Sequence, residues 1–307
     1  MLFRRNGCRR AAYLVVVTFW ERKGDFGMRL GTAGRGCRVI FGALLLVLSA
    51  PWTAGAQQDP EGLWRQASLY RDAWGVPHVQ GRTVRGMAFA FGYAQAEDHL
   101  ETMLLAYRYA NGRAAEVLGE AFAASDQFSR KLGHRVLAEA ALANADAVTR
   151  DLCAGFALGV NAWMLDHPGE GPAWAEPVQP RDVLSLWHSY LMSFAPFDLP
   201  GAYRQPPAAM SGNAWAVAPR RMEKNKTALV FAAHQFHDGP FRWYEGHLAC
   251  EDLDVAGATL MGLPVILQGH NRNVAWAFTP NAADWADMFE ERLPGGGGDA
   301  GATDIVS

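Results

Sequence analysis

Cysteine is scarce in this 307-residue chain: there are four, and Cys8 and Cys37 both fall within the first 56 residues. That excludes a disulfide scaffold. Cys153 and Cys250 stand at no zinc-ligand spacing from a histidine or from each other, which argues against structural zinc. Two free thiols are the expectation for this pair, although an oxidising compartment would permit them to bond. Charge is also thin, at 19% of residues, and nine Lys and Arg against two acids lie in residues 1–56, leaving 19 bases against 29 acids in the rest. A nucleic-acid partner is therefore not expected. No apolar run reaches the ~20 residues that a membrane-spanning helix needs. What the chain has in quantity is hydrophobic residues, half of the total, with eleven Trp, enough to bury a large core.

The N-terminus reads as a targeting segment. From Met28, a basic stretch with Arg29, Arg35 and Arg38 precedes an apolar run from Val39 to Leu48 and the small residues Ala54-Gly55-Ala56. This is the layout of a secretory signal over residues 28–56, with export to the periplasm or beyond and a mature start at Gln57. An anchoring helix is the alternative, disfavoured by the short apolar run. Residues 1–27, with an apolar patch from Ala11 to Trp20, read as an upstream extension outside the fold.

After the leader, Leu69 to Val79 is an extended segment broken by Gly75 and Pro77, predicting strand, turn, strand. From Val84 to about Gly119 apolar residues recur three or four apart, including Met87, Phe91, Ala94, Met103 and Tyr107, with a break at Gly112. Residues 130–166 predict two helices, the second carrying Gly155 and Gly159 four apart for close helix packing. Pro180-Arg181-Asp182 starts another helix to about Phe194, with Leu184, Trp187, His188 and Leu191 expected on one face. Residues 199–210, rich in Pro, Gly and Ala, form a linker. A hairpin of apolar strands is expected around Gly262. His78, His237 and His247 are assigned ordinary polar contacts, and Glu97 and Asp98 are read as buried or half-buried polar anchors that tie the helix to neighbouring backbone.

Three blocks in order, Arg71-Asp72-x-x-Gly75-Val76-Pro77-His78, Gly92-Tyr93-x-Gln95-Ala96-Glu97-Asp98 and Gly112-Arg113-x-x-Glu116-Val117-Leu118-Gly119, followed by Ser211-Gly212-Asn213-Ala214-Trp215, resemble the penicillin acylase family of N-terminal nucleophile hydrolases. The resemblance implies an α+β fold: an αββα sandwich, incomplete here, with a mainly helical N-terminal part. Residues 57–198 would be the small (α) chain, 199–210 a short spacer, and 211–307 the start of a truncated catalytic (β) chain. Family members continue into residues that supply an oxyanion Asn and a supporting Arg, which have no counterpart in this sequence.

The family's nucleophile precedes the Asn, which aligns Gly212 with it and leaves Ser211, the candidate hydroxyl, one position early. Such a hydroxyl first cuts its own chain; the freed α-amine then serves as the base when a substrate amide is attacked. Counting from Gly212 brings His234 to the position that holds the α-amine, and a one-residue slip would turn Ser211 away from it unless a bulge intervened. Gly269-His270-Asn271 and Ala275-Trp276-x-x-Thr279 resemble the block before an oxyanion amide, which falls on Pro280, a residue without an N–H. By the same resemblance Met192, Phe194 and Phe197 are candidate acyl-pocket residues, although core packing explains such a cluster equally well. Asp284, Ala286 and Asp287 would hold one structural calcium, with a solvated loop as the alternative. No organic cofactor is expected. The implied activity is hydrolysis of a non-peptide acyl-amide to a carboxylate and an amine by a self-cleaved α/β heterodimer. The alternative is a catalytically silent member that binds an acyl-amide or a partner protein.

Overall fold

The computed structural model describes residues 13–18, 62–193, 211–223, 226–234, 239, 242–251 and 253–279. The segments assigned to the signal (28–56) and the spacer (199–210) lie outside these residues. Within the N-terminal extension set apart from the fold, Tyr13–Thr18 forms a strand, β1.

The first hairpin is β2 (Ala67–Arg71) with β3 (Pro77–Gly81), as the Gly and Pro punctuation predicts. Asp72 closes the turn by accepting the backbone N–H groups of Trp74 and Val76 at 2.8 and 3.0 Å. Helix α1 (Val84–Ala110) then begins where Thr83 Oγ1 accepts the Gly86 N–H at 3.0 Å, an N-cap satisfying an otherwise orphaned donor. It kinks at His99, whose φ of −152° is not helical. Four further helices follow: α2 (Ala115–Leu118), α3 (Ala123–Lys131), α4 (His134–Asn144) and α5 (Ala147–Asp166). The last is capped by Asp146, which accepts from Thr149 N–H.

Helices α1 and α5 pack closely enough for backbone to meet backbone, and glycine is what permits it. A Cβ on Gly159 would stand 1.9 Å from the Phe89 carbonyl oxygen, and one on Gly92 2.3 Å from that of Phe156. The expected close-packing role of Gly155 and Gly159 is thus realised against α1. Helix α6 (Pro180–Ser193) buries Val183, Leu186 and Tyr190. That differs from the expected face: Leu191 is exposed, because the core is reached by the 3-and-4 spacing starting at Val183.

The strands form two sheets. One has six strands in the order β2-β3-β6-β7-β8-β9, with β6 at Trp243–Cys250, β7 at Leu253–Leu260, β8 at Gln268–His270 and β9 at Ala275–Trp276. All neighbours are antiparallel except β3 and β6. The other has three antiparallel strands in the order β1-β5-β4, with β4 at Ser211–Val217 and β5 at Ala228–His234. The hairpin expected around Gly262 is present as β7 with β8, paired antiparallel from Ala256 with His270 to Ala258 with Gln268, its second strand starting only at Gln268; β6 and β7 form a further antiparallel pair, ending at Cys250 with Leu253. Gly262 sits in the turn that follows β7, at φ +88°, where an added Cβ would lie 2.6 Å from Leu186.

Val79, Tyr244, Leu248 and Val255 of the six-stranded sheet share one core with Met87, Phe91 and Tyr107 of α1, Phe156 and Val160 of α5, and Leu186 of α6. Leu229 and Phe231 of β5 pack on Ala258 of β7, so the described residues stack as helices, sheet and second sheet. This is a mixed α and β fold. Cys153 is buried and Cys250 half-buried, and neither is in a disulfide. Among the described residues no helix is long and apolar enough to cross a membrane.

Candidate active site

Strand β4 pairs with β5 over seven consecutive positions, Ser211 with His234, Gly212 with Ala233, Asn213 with Ala232, and onward to Val217 with Ala228. No bulge interrupts them. Directly opposed residues share a sheet face, and the face alternates along each strand. Positions 211 and 213 therefore lie on the face of His234, while position 212 lies on the other, with Phe231 and Leu229. A slip that would set position 211 on the face away from His234 is not what the register shows: the pairing puts position 211 opposite the histidine. Gly212, at the aligned nucleophile position, faces away.

Asn213 Nδ2 lies 3.0 Å from His234 Nε2. Sequence reasoning used Asn213 only as a marker of register, since a bond between positions 21 apart depends on a pairing that spacing does not reveal. Trp215 is exposed on the same strand.

The turn after β7 is held by buried polar groups from the helices. Gln95 accepts the Gly262 N–H at 2.8 Å and donates to Leu263 O at 3.1 Å; Tyr107 donates to Gly262 O at 2.8 Å and Tyr190 to Met261 O at 2.9 Å. Burial pushes both phenols above their ordinary pKa, so they remain donors. Further along, Asn271 Oδ1 accepts the N–H groups of Asn273 and Val274 at 2.8 Å each, closing the β8–β9 hairpin. The Gly-His-Asn block thus sets the hairpin that leads toward Pro280.

Two further predicted features meet between the halves. Arg71 bridges Glu97 at 2.5 Å and Asp98 at 2.9 Å, and Tyr244 donates to Asp98 at 2.6 Å. These carboxylates are anchors, but both residues are exposed rather than buried or half-buried, and they tie to side chains on β2 and β6 rather than to backbone. His78 and His247, opposed across the parallel β3–β6 pair, meet Nδ1 to Nδ1 at 3.0 Å, and His247 Nε2 is 2.8 Å from Asp254, the polar contacts expected of them.

Of the pocket candidates, Met192 is half-buried in the last turn of α6. Phe194 and Phe197, the oxyanion position Pro280, the calcium positions Asp284, Ala286 and Asp287, and His237 lie outside the described residues. Among the described residues no three His, Cys, Asp or Glu side chains converge as metal ligands.

The penicillin amidase family model matches residues 66–304. The chain belongs to the penicillin amidase family. As a penicillin amidase family member it is 26% identical over 309 residues to the acyl-homoserine lactone acylase QuiP of Pseudomonas aeruginosa, covering 80% of this chain and 36% of the relative. It is 27% identical over 316 residues to the penicillin acylase 2 proenzyme of Pseudomonas sp. strain SE83 (81% and 40%), and 25% identical over 303 residues to the aculeacin-A acylase of Actinoplanes utahensis (83% and 38%). The chain thus spans less than half the length of these relatives. A thermostable penicillin G acylase from Alcaligenes faecalis aligns over 41% of this chain and 72% of that one at 28% identity, with a TM-score of 0.39.

Proposed function

We propose that the protein is an exported acyl-amide hydrolase of the penicillin amidase family that cuts its own chain between Met210 and Ser211 and then uses Ser211 as its nucleophile. The observation that carries this reading is the unbroken β4–β5 pairing that sets Ser211, not Gly212, opposite His234. In the reaction the Ser211 hydroxyl oxygen bonds to the acyl carbonyl carbon, its proton passes to the free α-amine, and that proton then leaves with the departing amine. Water hydrolyses the acyl ester, releasing the carboxylate and restoring the hydroxyl. Relatives named as acylases of acyl-homoserine lactone, penicillin and aculeacin A support an acyl group as the part recognised. The name proenzyme on one of them supports processing. Export rests on the leader pattern of residues 28–56, and a calcium at Asp284, Ala286 and Asp287 rests on the sequence resemblance.

A specific observation favours a second reading, a silent member that binds an acyl-amide without cutting it. Pro280 stands where an oxyanion N–H is expected, and one such donor is commonly worth about 3 kcal/mol of transition-state stabilisation. Mass spectrometry of the exported full-length protein separates the two. Fragments divided between Met210 and Ser211, with turnover of an acyl-amide that is lost in Ser211→Ala, support the hydrolase. An intact chain without turnover supports the binder.

A further inference from the structure

Asn213 reaches His234 through an amide nitrogen, and that identity has a chemical consequence. The Nδ2 atom of an asparagine is a donor only, so a hydrogen bond to His234 Nε2, 3.0 Å away, forms when that nitrogen presents its lone pair. A neutral imidazole whose Nε2 is an acceptor carries its proton on Nδ1. Free imidazole side chains in water favour the opposite tautomer, so the hydrogen bond has to select this one.

We propose that Asn213 is a positioning residue that locks His234 as its Nδ1–H tautomer, making the histidine a hydrogen-bond donor to the residue-211 site and not a base. Asn213 is two residues from Ser211 on one strand, and His234 is opposite Ser211 on the next, so the three positions form one patch on one sheet face. With Nε2 occupied by the amide, the ring atom left for the reaction is a protonated nitrogen. It can orient an oxygen at the site by donating to it, and it has no lone pair with which to take the Ser211 proton. That proton must go to the α-amine released by self-cleavage. The catalytic meaning of this assignment rests on the reading of Ser211 as nucleophile; the tautomer itself does not.

The test is long-range proton–nitrogen correlation of the histidine rings in full-length protein labelled with nitrogen-15 histidine. His234 is assigned by the signal that disappears in His234→Gln. The expected wild-type pattern has Nδ1 protonated and Nε2 bare, and Asn213→Ala should shift the proton to Nε2. Asn213→Asp, nearly isosteric and able only to accept, should do the same and guards against misfolding of the alanine variant. A wild-type ring protonated on Nε2, or a pattern unchanged in the folded aspartate variant, overturns the assignment. The cleavage state of the wild-type sample separates the two readings: an uncut wild-type chain with Nδ1–H keeps the tautomer assignment and sinks only the nucleophile. Where wild type does cut itself, Asn213→Asp is expected to slow cleavage at least tenfold, and cleavage at the wild-type rate with the proton moved to Nε2 removes the positioning role.

Discussion

His134 on α4 and His188 on α6 meet Nδ1 to Nδ1 at 2.6 Å, with the rings tilted 66° to each other. One ring donates its N–H to the lone pair of the other, so the contact joins two neutral imidazoles across the α4–α6 interface. Burial, with the neighbouring His188, pushes His134 down to about 4, and burial lowers His188 as well. The unfolded chain therefore binds protons at a higher pH than the folded one does.

Stability should accordingly be fully present above pH ~6.5 and fall as the pH drops toward ~4, the interval between the unfolded and folded values. The charged neighbours on the same two helices, Arg135 and Arg181, are both engaged by Glu139. For His134 the loss has an upper bound of about 3 kcal/mol, from roughly 1.4 kcal/mol per pKa unit. Urea midpoints measured from pH 7.5 to 4.5 check this, with His134→Leu as the comparison. The leucine variant should show a flatter profile, and an equally steep one removes the histidine pair as the cause.

Gly159→Ala should destabilise the protein by about 3 kcal/mol or more, at or beyond the upper end of ordinary overpacking. The new methyl would meet the Phe89 carbonyl 1.9 Å away, and backbone cannot step aside as a flexible side chain can. A thermal melt would settle it. A change in Tm of under a degree would mean that α1 and α5 separate freely.

Gln95→Leu should cost about 2–4 kcal/mol, because it strands two buried backbone groups, the Gly262 N–H and the Leu263 carbonyl. Tyr107→Phe strands only the Gly262 carbonyl and should cost about 1–2 kcal/mol. The denaturation midpoints of the two variants give the ranking, and a Gln95 variant no weaker than the Tyr107 one contradicts the double role of Gln95.

The helical part was legible in the sequence because its signals are local. The period of Met87, Phe91 and Ala94, the break at Gly112 and the Gly155–Gly159 pair each act within a turn or two of helix. Pairings between distant strands were not legible. The apolar run around Gly262 signalled the β7–β8 pair, whereas the β6–β7 hairpin hides behind a short turn flanked by weak alternation. The Gln95, Tyr107 and Tyr190 bonds to residues 261–263 join positions 71 to 168 apart, and no spacing rule reaches that far. At the candidate site, alignment by residue count and alignment by strand pairing differ by one residue. A count through a loop carries no information about which face the strand will present, whereas the hydrogen-bonded ladder fixes it.

That one-residue difference can be put to the chain directly. In Ser211→Ala with Gly212→Ser the hydroxyl moves to the position that the family pattern assigns to the nucleophile, but on this ladder position 212 pairs with Ala233 and faces away from His234. If the pairing governs, the double variant should neither cut its chain nor turn over an acyl-amide, with rates at least a hundredfold below wild type, a deficit of about 2.7 kcal/mol or more in barrier. If the motif order governs, the double variant should match or exceed wild type, cutting one residue later, between positions 211 and 212. The earlier and later cuts differ in fragment mass by a single residue, which intact-mass measurement resolves. A cut at the later site would show that β4 shifts register when the hydroxyl is moved, and the face assigned to position 211 would then belong to 212.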